Sequence, residues 1–453
     1  MNHFLQRPHS GILQQGPRTH SREKMSDIFE IFNSSVSAVL PGDLVRRRVV
    51  LNKNTLRIMD RDFDLSNYGD IYVIGAGKAS LGMAEEVENI LGERIKTGIC
   101  CVPVKYTELE RIEVVETSHP VPDERSVEGA KRAVSILHNT GEKDLVICLF
   151  SGGGSSLFVL PTGDITLEDK EKTVSLLLKS GADIREINTV RKHISGVKGG
   201  KLAGEAYPST VITLLISDVV GDDMSVIASG PTVPDETTYA DCMSIIDKYG
   251  LSPPRRVLEH IKAGIRGDID ETPRSLPNVV NFVMGNNLLA LESARKRAEE
   301  LGYNAIVLSS TLEGEARDVA RLLCVVSTEV VHSGNPVGVP ACIIAGGETT
   351  VRVEGSGKGG RNQELALAFT ICVDGIDGIE LLSAATDGID GPTDACGAIV
   401  NGGTAERARA LGLSPREYLR DNDSYNFHRK VHTILYTGPT HTNVGDVEII
   451  LCR

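Results

Sequence analysis

The strongest constraint on the fold is a repeated order of apolar run, glycine-rich or polar turn and helix, which begins near residue 70. Ile71–Ile74, Leu145–Phe150 and Val211–Ile216 are continuous apolar runs of strand length. Runs of this kind are typical of a parallel sheet that helices cover on both faces. The sequence therefore predicts a doubly wound, Rossmann-like α/β fold that binds its ligands beyond the carboxyl ends of the strands.

Length and composition predict two domains. A chain of 453 residues is too long for one ordinary core. Proline-containing connecting segments occupy residues 250–280, and a second α/β series opens at Val279–Val283. We predict a Rossmann-like domain over 25–275 and a smaller α/β domain over 276–453. Residues 1–24 are arginine-rich without the apolar region of a secretory signal, and we expect a poorly ordered extension there.

Composition narrows the class of partner. The net charge of −13 argues against nucleic acid and anionic membranes, and the aromatic content of 4%, with no tryptophan, leaves few stacking platforms for single strands. The nine cysteines show no C-x-x-C spacing and lie mostly in apolar runs, which favours reduced thiols and a cytoplasmic location. The sequence gives no indication of the oligomeric state.

Two glycine-rich turns are candidate anion sites. The first places Gly75, Gly77 and Lys78 after a strand in dinucleotide-fingerprint spacing, but Ser80 replaces the third glycine, and a tight turn with a solvated lysine is the alternative. In the second, uncovered backbone N–H groups predict an anion-binding nest. No G-x-S-x-G elbow is present, so phosphate or carboxylate binding is favoured over acyl transfer. The second turn consists of Ser151, Gly152, Gly153, Gly154, Ser155 and Ser156.

A basic segment stands out in this net-acidic protein. Glycines interrupt its charges, which favours anion binding over a solvated helical face. The charged residues of the segment are Arg191, Lys192, His193, Lys198 and Lys201.

Two acidic loops follow apolar strands, one with Asp218 in Ser217–Asp223 and one with Asp387 in Thr386–Asp394. Mg²⁺ accepts one or two carboxylates and completes its shell with phosphate and water. Ordinary Asp-Gly turns are the alternative.

A last glycine-rich stretch lies in the C-terminal half. Gly346, Gly347 and Glu348 follow an apolar run, and Arg361 follows four glycines within six residues and precedes an apolar helix. A guanidinium in that position can hold phosphate oxygens through paired hydrogen bonds, whereas a surface arginine is the alternative. Anion cradles, acidic loops and cations at strand ends together predict phosphoryl transfer.

In combination these motifs resemble the glycerate 2-kinase family, also called class II glycerate kinases. The resemblance covers residue 27 to the C-terminus. The motifs that carry it are, in chain order, GAGKA at 75–79, SHPVPD at 118–123, SGGGS at 151–155, VRKH at 190–193, SD at 217–218, SGPT at 229–232, GGET at 346–349, GGRNQE at 359–364, TDG at 386–388 and TGPT at 437–440.

The resemblance implies an activity and a site. The implied enzyme is a kinase that uses ATP and Mg²⁺, or another divalent cation, to convert D-glycerate to 2-phosphoglycerate in a cleft between a Rossmann-like and a MOFRL-type domain. Lys78 and Arg361 would neutralise the transferred phosphoryl group. Asp218 and Asp387 would handle the metal or the acceptor hydroxyl.

The remaining candidates would bind substrate or nucleotide, with Arg191 and His193 near the substrate. Around Asn443 the sequence departs from the family pattern at His441 and Gly445. The predicted binding residues are Gly75, Gly77, Ser151, Gly152, Gly153, Gly154, Ser155, Ser156, Arg191, His193, Lys198, Gly346, Gly347, Glu348 and Asn443.

Two other functions are alternatives. Relatives of this family have been labelled hydroxypyruvate reductases, but an NAD(P)H site calls for an acidic residue about 20 residues after the first glycine turn, where this chain has Cys100–Val104. A non-catalytic sugar-acid sensor would need anion cradles but not the clustered aspartates beside them.

Overall fold

The computed structural model describes residues 26–453, so the extension predicted over 1–24 lies outside the described residues. The chain divides into two compact units. The N-terminal unit is Leu40–Asn286, and the C-terminal unit is Asn287–Arg453 together with the described residues up to Val39. This division differs from the predicted boundary between 275 and 276 in two respects, which concern the first helix and one strand.

The first helix, α1 (Asp27–Ala38), belongs to the C-terminal unit rather than to the N-terminal domain predicted over 25–275. Its apolar face, which includes Ile31 and Phe32, is buried in a core cluster with residues of the last strand. Ser34 Oγ also hydrogen-bonds to Ser293 Oγ at 2.9 Å. The prediction was wrong here because sequence adjacency to the N-terminal domain does not decide which core receives an apolar helix face.

The N-terminal unit contains a small antiparallel sheet and a six-stranded parallel sheet. The order within the large sheet is β6-β5-β4-β7-β8-β9, and each neighbouring pair is parallel. The strands of the unit are β1 (Val49–Asn52), β2 (Thr55–Ile58), β3 (Arg61–Asp64), β4 (Ile71–Ala76), β5 (Ile95–Val102), β6 (Ile112–Glu116), β7 (Leu145–Ser151), β8 (Thr210–Ile216) and β9 (Val279–Gly285).

Helices cover this sheet, and several begin at capping boxes, in which a side chain satisfies backbone N–H groups of the first turn. The helices are α2 (Pro41–Arg48), α3 (Ser80–Leu91), α4 (Glu124–Leu137), α5 (Gly154–Leu157), α6 (Leu167–Ser180), α7 (Ile184–His193), α8 (Lys201–Glu205), α9 (Tyr239–Lys248) and α10 (Arg255–Arg266).

The strand order of the large sheet confirms the doubly wound prediction. Counted along the chain from β4 to β9, it is 3-2-1-4-5-6, the order of the dinucleotide-binding fold. The order reverses between β4 and β7, so the turns that follow these two strands lie side by side at the switch point. Strand β9 was expected to open the second series, and that expectation was wrong, because β9 pairs with β8 from Val211↔Val279 onward.

The C-terminal unit is a second α/β layer structure around a mixed sheet of order β10-β11-β15-β12-β13-β14. Only the β10–β11 pair is parallel. Its further elements are α11 (Asn287–Glu300), β10 (Asn304–Leu312), α12 (Ala316–Ser333), β11 (Ala341–Gly347), α13 (Arg361–Cys372), β12 (Ile379–Ala385), β13 (Gly397–Asn401), α14 (Thr404–Ala410), α15 (Pro415–Arg420), α16 (Ser424–Val431), β14 (Ile434–Leu435) and β15 (Asp446–Cys452).

Strand β15 is central to this sheet and buried on both faces. Ile450 and Cys452 face a core that includes residues of α12 and α13, while Ile449 and Leu451 face the core that receives α1 and α11. The alternation follows from the two-residue period of a strand. Within residues 26–453 no single helix is long and apolar enough to cross a membrane; the one broken pair that qualifies by length and composition is α1 with α2.

Candidate active site

The turns after β4 and β7 meet at the switch point of the N-terminal sheet. The Lys78 N–H donates to Gly152 O at 2.9 Å, and the Ala79 N–H donates to Ser151 Oγ at 3.0 Å. Gly77 has a φ of +144°, and a β-carbon there would overlap Ser151 Oγ. Glycine is therefore required at position 77, and the two turns form one connected surface.

The turn after β8 adds a carboxylate to this surface. Asp218 packs against Gly152 so closely that a β-carbon on Gly152 would overlap the Asp218 carboxylate. Gly153 has a φ of +82° and lies beside His119 and the side chain of Lys78. The structure thus brings together Lys78, the glycine nest and Asp218, which the sequence placed at separate strand ends.

A cavity of about 420 Å³ opens beside the nest within the N-terminal unit. Its lining combines apolar side chains, many of them from α6 and the segment before α4, with hydroxyl groups, three cationic side chains and the carboxylate of Glu171. The lining residues are His119, Pro120, Val121, Pro122, Gly153, Ser155, Ser156, Val159, Leu167, Lys170, Glu171, Val174, Ser175, Leu178, Arg191, Lys198 and Ser229.

Three cations at this cavity repel one another. Burial, followed by the charge of Arg191, lowers the pKa of Lys198 to about 7. Burial, followed by Lys198, Lys201 and Arg191, lowers the pKa of Lys170 well below its ordinary value. Burial also lowers the pKa of Arg191. A bound anion would relieve this repulsion, so the wall is electrostatically suited to phosphate or carboxylate.

The hydrogen bonds of these lysines go to backbone carbonyls. Lys198 Nζ donates to Gly154 O at 2.8 Å, which ties the cation to the nest. Lys170 Nζ donates to Arg191 O at 3.2 Å and Ile194 O at 3.3 Å, at the carboxyl end of α7, where a cation is favoured by the helix dipole. Lys170 therefore both stabilises α7 and lines the cavity.

Lys192 and Lys201 of the basic segment do not line the cavity. Lys192 forms a buried ion pair with Asp235 at 3.3 Å. Lys201 Nζ donates to two carbonyls of the same segment, that of Ser195 at 2.7 Å. Of the five predicted cations, the cavity lining contains Arg191 and Lys198.

His193 does not line the cavity. Its ring is fully buried, with Nδ1 at 2.8 Å from Thr189 O and Nε2 at 3.1 Å from Glu271 Oε2. The ring also packs edge-on against Tyr239 at 4.7 Å between centroids. Both ring nitrogens are engaged within the protein, which favours a structural role, and the predicted place of His193 near the substrate gains no support.

A strained segment forms part of the cavity wall. Ala228 and Ser229 have φ values of 50° and 61°, in the left-handed region that non-glycine residues rarely occupy. Ser229 Oγ lies 2.9 Å from Ser155 Oγ and donates to Asn188 Oδ1 at 3.1 Å. Strain of this kind concentrates at functional sites because the surrounding structure must hold it in place.

Arg361, in the C-terminal unit, is held by two carboxylates. Its Nε and Nη2 donate to the Asp446 carboxylate at 2.6 and 3.0 Å, and its Nη1 lies 2.7 Å from Glu348 Oε1. Burial acts to lower the pKa of Arg361, but Asp446 and Glu348 outweigh it and raise that pKa. The guanidinium keeps donors in excess of these bonds, and its role in binding phosphate stays a prediction.

The residues after Arg361 anchor the start of α13. Asp390 accepts the N–H of Asn362 at 3.2 Å and the N–H of Gln363 at 2.9 Å, which satisfies backbone donors of the first turn. Asn362 Nδ2 also donates to Asp446 Oδ1 at 2.9 Å. Burial raises the pKa of Asp390 to about 6. Much of the GGRNQE motif is therefore a buried polar network.

The other predicted residues of the C-terminal unit lie in close turns. A β-carbon on Gly346 would overlap Asn287 Oδ1, and Gly347 has a φ of +150°. Asp387 Oδ1 accepts the Ile389 N–H at 3.0 Å, and Asn443 Oδ1 accepts the Gly445 N–H at 3.2 Å. In the N-terminal unit, Gly75 has similar reasons to lack a side chain, since a β-carbon there would lie 2.8 Å from Cys100 Sγ.

The carboxylates of the site determine how Mg²⁺ could bind. Within residues 26–453 no group of three or more histidine, cysteine or acidic side chains could hold a metal ion by itself. Mg²⁺ commonly binds through one or two carboxylates and completes its shell with phosphate and water. Asp218 beside the glycine nest fits that mode, since the nest would bring phosphate oxygens to the same place.

Several residues of the site were not identified from the sequence. Ser229 and His119 lie in motifs of the family resemblance but received no role. Lys170 could not be recognised as a site residue from the sequence, because it lies among other charged residues of an amphipathic helix. Asp446 and Asp390 act on Arg361 and its neighbours from distant positions in the chain.

The chain matches two described families. Residues 27–262 match a domain of unknown function, DUF4147, and residues 341–446 match the MOFRL family. The chain is 43% identical to the glycerate 2-kinase of Pyrococcus horikoshii, over 93% of this chain and 96% of the relative. It is 42% identical to the D-glycerate 2-kinase of Thermotoga maritima, with the same coverage.

A solved structure is similar to this chain over nearly its whole length. The crystal structure of glycerate kinase from Thermotoga maritima superposes with a TM-score of 0.84 at 40% identity, covering 94% of this chain and 99% of that chain. A protein of Agrobacterium vitis provisionally named hydroxypyruvate reductase is 43% identical over 84% of this chain and 87% of its own length.

The buried network predicts a pH dependence of stability. His428 is buried with Nε2 at 2.9 Å from Gln363 O, and burial lowers its pKa to about 4 from the ordinary 6.5. Between these two pH values His428 is protonated in the unfolded chain but not in the folded chain. The free energy of unfolding that is present above about pH 6.5 is therefore lost as the pH falls. From about pH 7 to about pH 5, this should cost the C-terminal unit about 2 kcal/mol.

Urea unfolding of the wild type and of His428→Gln at both pH values measures this effect. The difference in unfolding free energy between the two proteins should shrink or reverse at the lower pH, because glutamine does not titrate. His332→Gln, at an exposed position of α12, should keep the wild-type dependence. A constant difference between wild type and His428→Gln would contradict the role of His428.

Proposed function

We propose that this chain, which belongs to the family of the glycerate 2-kinases, transfers the γ-phosphate of ATP to D-glycerate and releases 2-phosphoglycerate and ADP. One observation carries the proposal beyond the resemblance to named relatives. A cavity beside the glycine nest of the switch point is lined by apolar side chains and by cations that repel one another. Such a lining suits a ligand that has an apolar part and an anionic part.

The nucleotide fits this cavity better than glycerate does. Glycerate is a three-carbon acid with little apolar surface, and about 420 Å³ is within the range of pockets that bind larger ligands. The apolar lining residues, among them Val159, Leu167 and Val174, would receive the base, and Arg191 and Lys198 would face phosphate. The competing assignment follows from the prediction that Arg191 lies near the substrate, and in it the basic segment binds the glycerate carboxylate.

Lys78 and Asp218 would act on the reacting phosphate. Both border the nest, because Lys78 follows β4 and Asp218 follows β8, the two strands that flank β7. Lys78 would neutralise the transferred phosphoryl group as a compact charge. Asp218 would bind Mg²⁺, which when bound would screen phosphate charge against the incoming hydroxyl.

Arg361 and Asp387 are the corresponding candidates in the C-terminal unit. The bond from Arg361 to the buried Asp446 fixes the plane of its guanidinium, and a fixed fork loses less entropy when it binds phosphate. Asp387 is half-buried at the start of the loop after β12, where its carboxylate would handle the acceptor hydroxyl or the metal.

The reductase alternative has less support. The strand order of the large sheet is that of dinucleotide-binding folds. Strand β5, however, ends at Cys100, Cys101 and Val102, all buried, where a nicotinamide nucleotide would require an acidic residue for its ribose. A sensor has no need of Asp218 beside the nest, so the kinase is favoured over both alternatives.

The thiol chemistry is consistent with a cytoplasmic enzyme. All nine cysteines lie within residues 26–453 and none forms a disulfide. Disulfides are rare where glutathione and thioredoxin keep thiols reduced. We propose the cytoplasm as the compartment and D-glycerate, with ATP·Mg²⁺, as the small-molecule partner.

The product identifies both the reaction and the hydroxyl that is phosphorylated. Purified protein is incubated with D-glycerate and ATP·Mg²⁺, and in parallel hydroxypyruvate is supplied with NADH. We expect ADP release in the first mixture and no loss of NADH absorbance in the second. Enolase added without a mutase should convert the product at once, since enolase accepts 2-phosphoglycerate and not the 3-isomer.

The same mixtures can refute the proposal. Oxidation of NADH without ADP release would make the protein a reductase. Product that enolase converts only after a mutase is added would make the C3 hydroxyl the acceptor.

Removal of the Lys78 charge should act on the chemical step. Lys78→Ala should lower kcat about a hundredfold, the scale of a deleted preorganised electrostatic contact. Lys78→Arg should not restore the rate, since a planar fork replaces a compact charge. Lys179→Ala, at an exposed position in the last turn of α6, is the matched control and should leave kcat unchanged. Near-normal turnover of Lys78→Ala at saturating substrate would make Lys78 structural.

Removal of the Lys198 charge distinguishes the two assignments of the cavity. Lys198→Met keeps the length of the side chain, and the KM for ATP should rise about tenfold or more, the scale of a hydrogen bond to a charged group. The control is Lys201→Met, which removes a lysine that bonds to backbone carbonyls. A rise in the KM for glycerate alone would instead place the acid in the cavity, and thermal unfolding of both variants verifies the fold.

A further inference from the structure

Two cysteines of the C-terminal unit belong to the same core between neighbouring helices. Cys324 is on α12 and Cys372 is the last residue of α13, and both pack in the core between these helices. Each thiol shifts the pKa of the other, so the two side chains interact. Of the nine cysteines, all in the described part of the chain, eight are buried and Cys372 is half-buried.

A cavity of about 390 Å³ leads to Cys372 and is rich in arginine. Arg317 is paired with Glu364 at 2.7 Å and Arg321 with the exposed Asp318 at 2.9 Å. The lining residues include no carboxylate, and this favours the entry of an anionic ligand. The lining residues are Arg317, Arg321, Ala368, Ile371, Cys372, Arg416, Leu419 and Arg420.

The two thiols differ in acidity. The hydrogen bond from Cys324 lowers the pKa of Cys372 to about 6, with further help from Arg321 and Arg416 against the effect of burial. The same hydrogen bond and burial raise the pKa of Cys324. These effects favour the thiolate form of Cys372, which is the form of cysteine that attacks disulfides.

We propose that Cys324 and Cys372 form a redox-active dithiol, in which Cys372 reacts with small anionic disulfides that enter the arginine-lined cavity and Cys324 completes an intramolecular disulfide between α12 and α13. The site is separate from the residues assigned to phosphoryl transfer, and its chemistry does not depend on the kinase assignment.

The reaction balances as two thiol–disulfide exchanges. The Cys372 thiolate attacks one sulfur of the disulfide R–S–S–R, forms a Cys372–S–S–R bond and releases R–S⁻. Cys324 then attacks Cys372 Sγ and displaces the second R–S⁻. Two electrons pass from the protein to R–S–S–R, and the protons lost by the two cysteines end on two molecules of R–SH.

Oxidised glutathione is the anionic probe and 2-hydroxyethyl disulfide the uncharged one. The reduced, full-length protein is treated with each, alkylated and mapped by mass spectrometry without reduction. We expect one new cross-link, between Cys324 and Cys372, with the other seven cysteines alkylated only after unfolding. Cys324→Ala should instead retain glutathione on Cys372.

Further variants isolate the contribution of the cavity. Arg416→Gln should slow the reaction with oxidised glutathione about fivefold, through loss of positive potential at the cavity, while the uncharged disulfide reacts at nearly the same rate. Cys342→Ala removes a buried thiol elsewhere and should form the cross-link as the wild type does.

Three results would overturn the proposal. They are a cross-link between other cysteines, a wild-type protein in which Cys372 reacts no faster than the buried thiols, and a stable glutathione adduct on Cys372 of the wild type. The readout is a peptide map, so the outcome is independent of whether the protein phosphorylates glycerate.

Discussion

The close approach of the Gly77 turn to Ser151 fixes the ends of two neighbouring parallel strands, and the geometry of the N-terminal site depends on it. A side chain at position 77 would push the turns apart and separate Lys78 from the glycine nest. Parallel strands place their carboxyl ends at one edge of the sheet, so the strand after the nest delivers Asp218 to the same edge. Three local sequences that are distant in the chain thus form one surface.

The buried cations of the two units have different hydrogen-bond partners. In the C-terminal unit, the charge of Arg361 is matched by the carboxylates of Asp446 and Glu348. At the cavity of the N-terminal unit, Lys170 and Lys198 are buried among like charges and bond to carbonyls rather than to carboxylates. Buried like charges cost free energy in the folded state, and a bound anion would offset that cost.

The sequence predicted the sheet but not its last strand. Apolar runs identify parallel strands because both faces are covered, and β4, β7 and β8 were found in this way. Strand β9 is half-exposed along much of its length, and it follows a proline-containing connection that looked like a domain boundary. Helix α1 was misassigned because amphipathic periodicity shows that a face is buried and not which core buries it.

The basic segment marks the limit of prediction for the site. Arg191, Lys192 and His193 are consecutive in a helix, so their side chains project about 100° apart and reach the cavity, Asp235 and Glu271 respectively. The sequence showed that cations are concentrated in the basic segment. Only the packing of α7 decides which of these side chains line the cavity. The ion pair between Arg361 and Asp446 could not be predicted either, because neither local sequence indicates which distant residue its side chain contacts.

The order of the chain through the two units has a consequence for synthesis on the ribosome. Helix α1 is made before the whole of the N-terminal unit, yet the strands and helices that bury its apolar face come from Asn287–Arg453. The N-terminal unit can fold as soon as β9 emerges, whereas the apolar face of α1 stays exposed to water until strands of the C-terminal unit, β15 among them, are available. Helix α1 is therefore an exposed apolar segment throughout translation of the N-terminal unit, and folding of the C-terminal unit is what buries it.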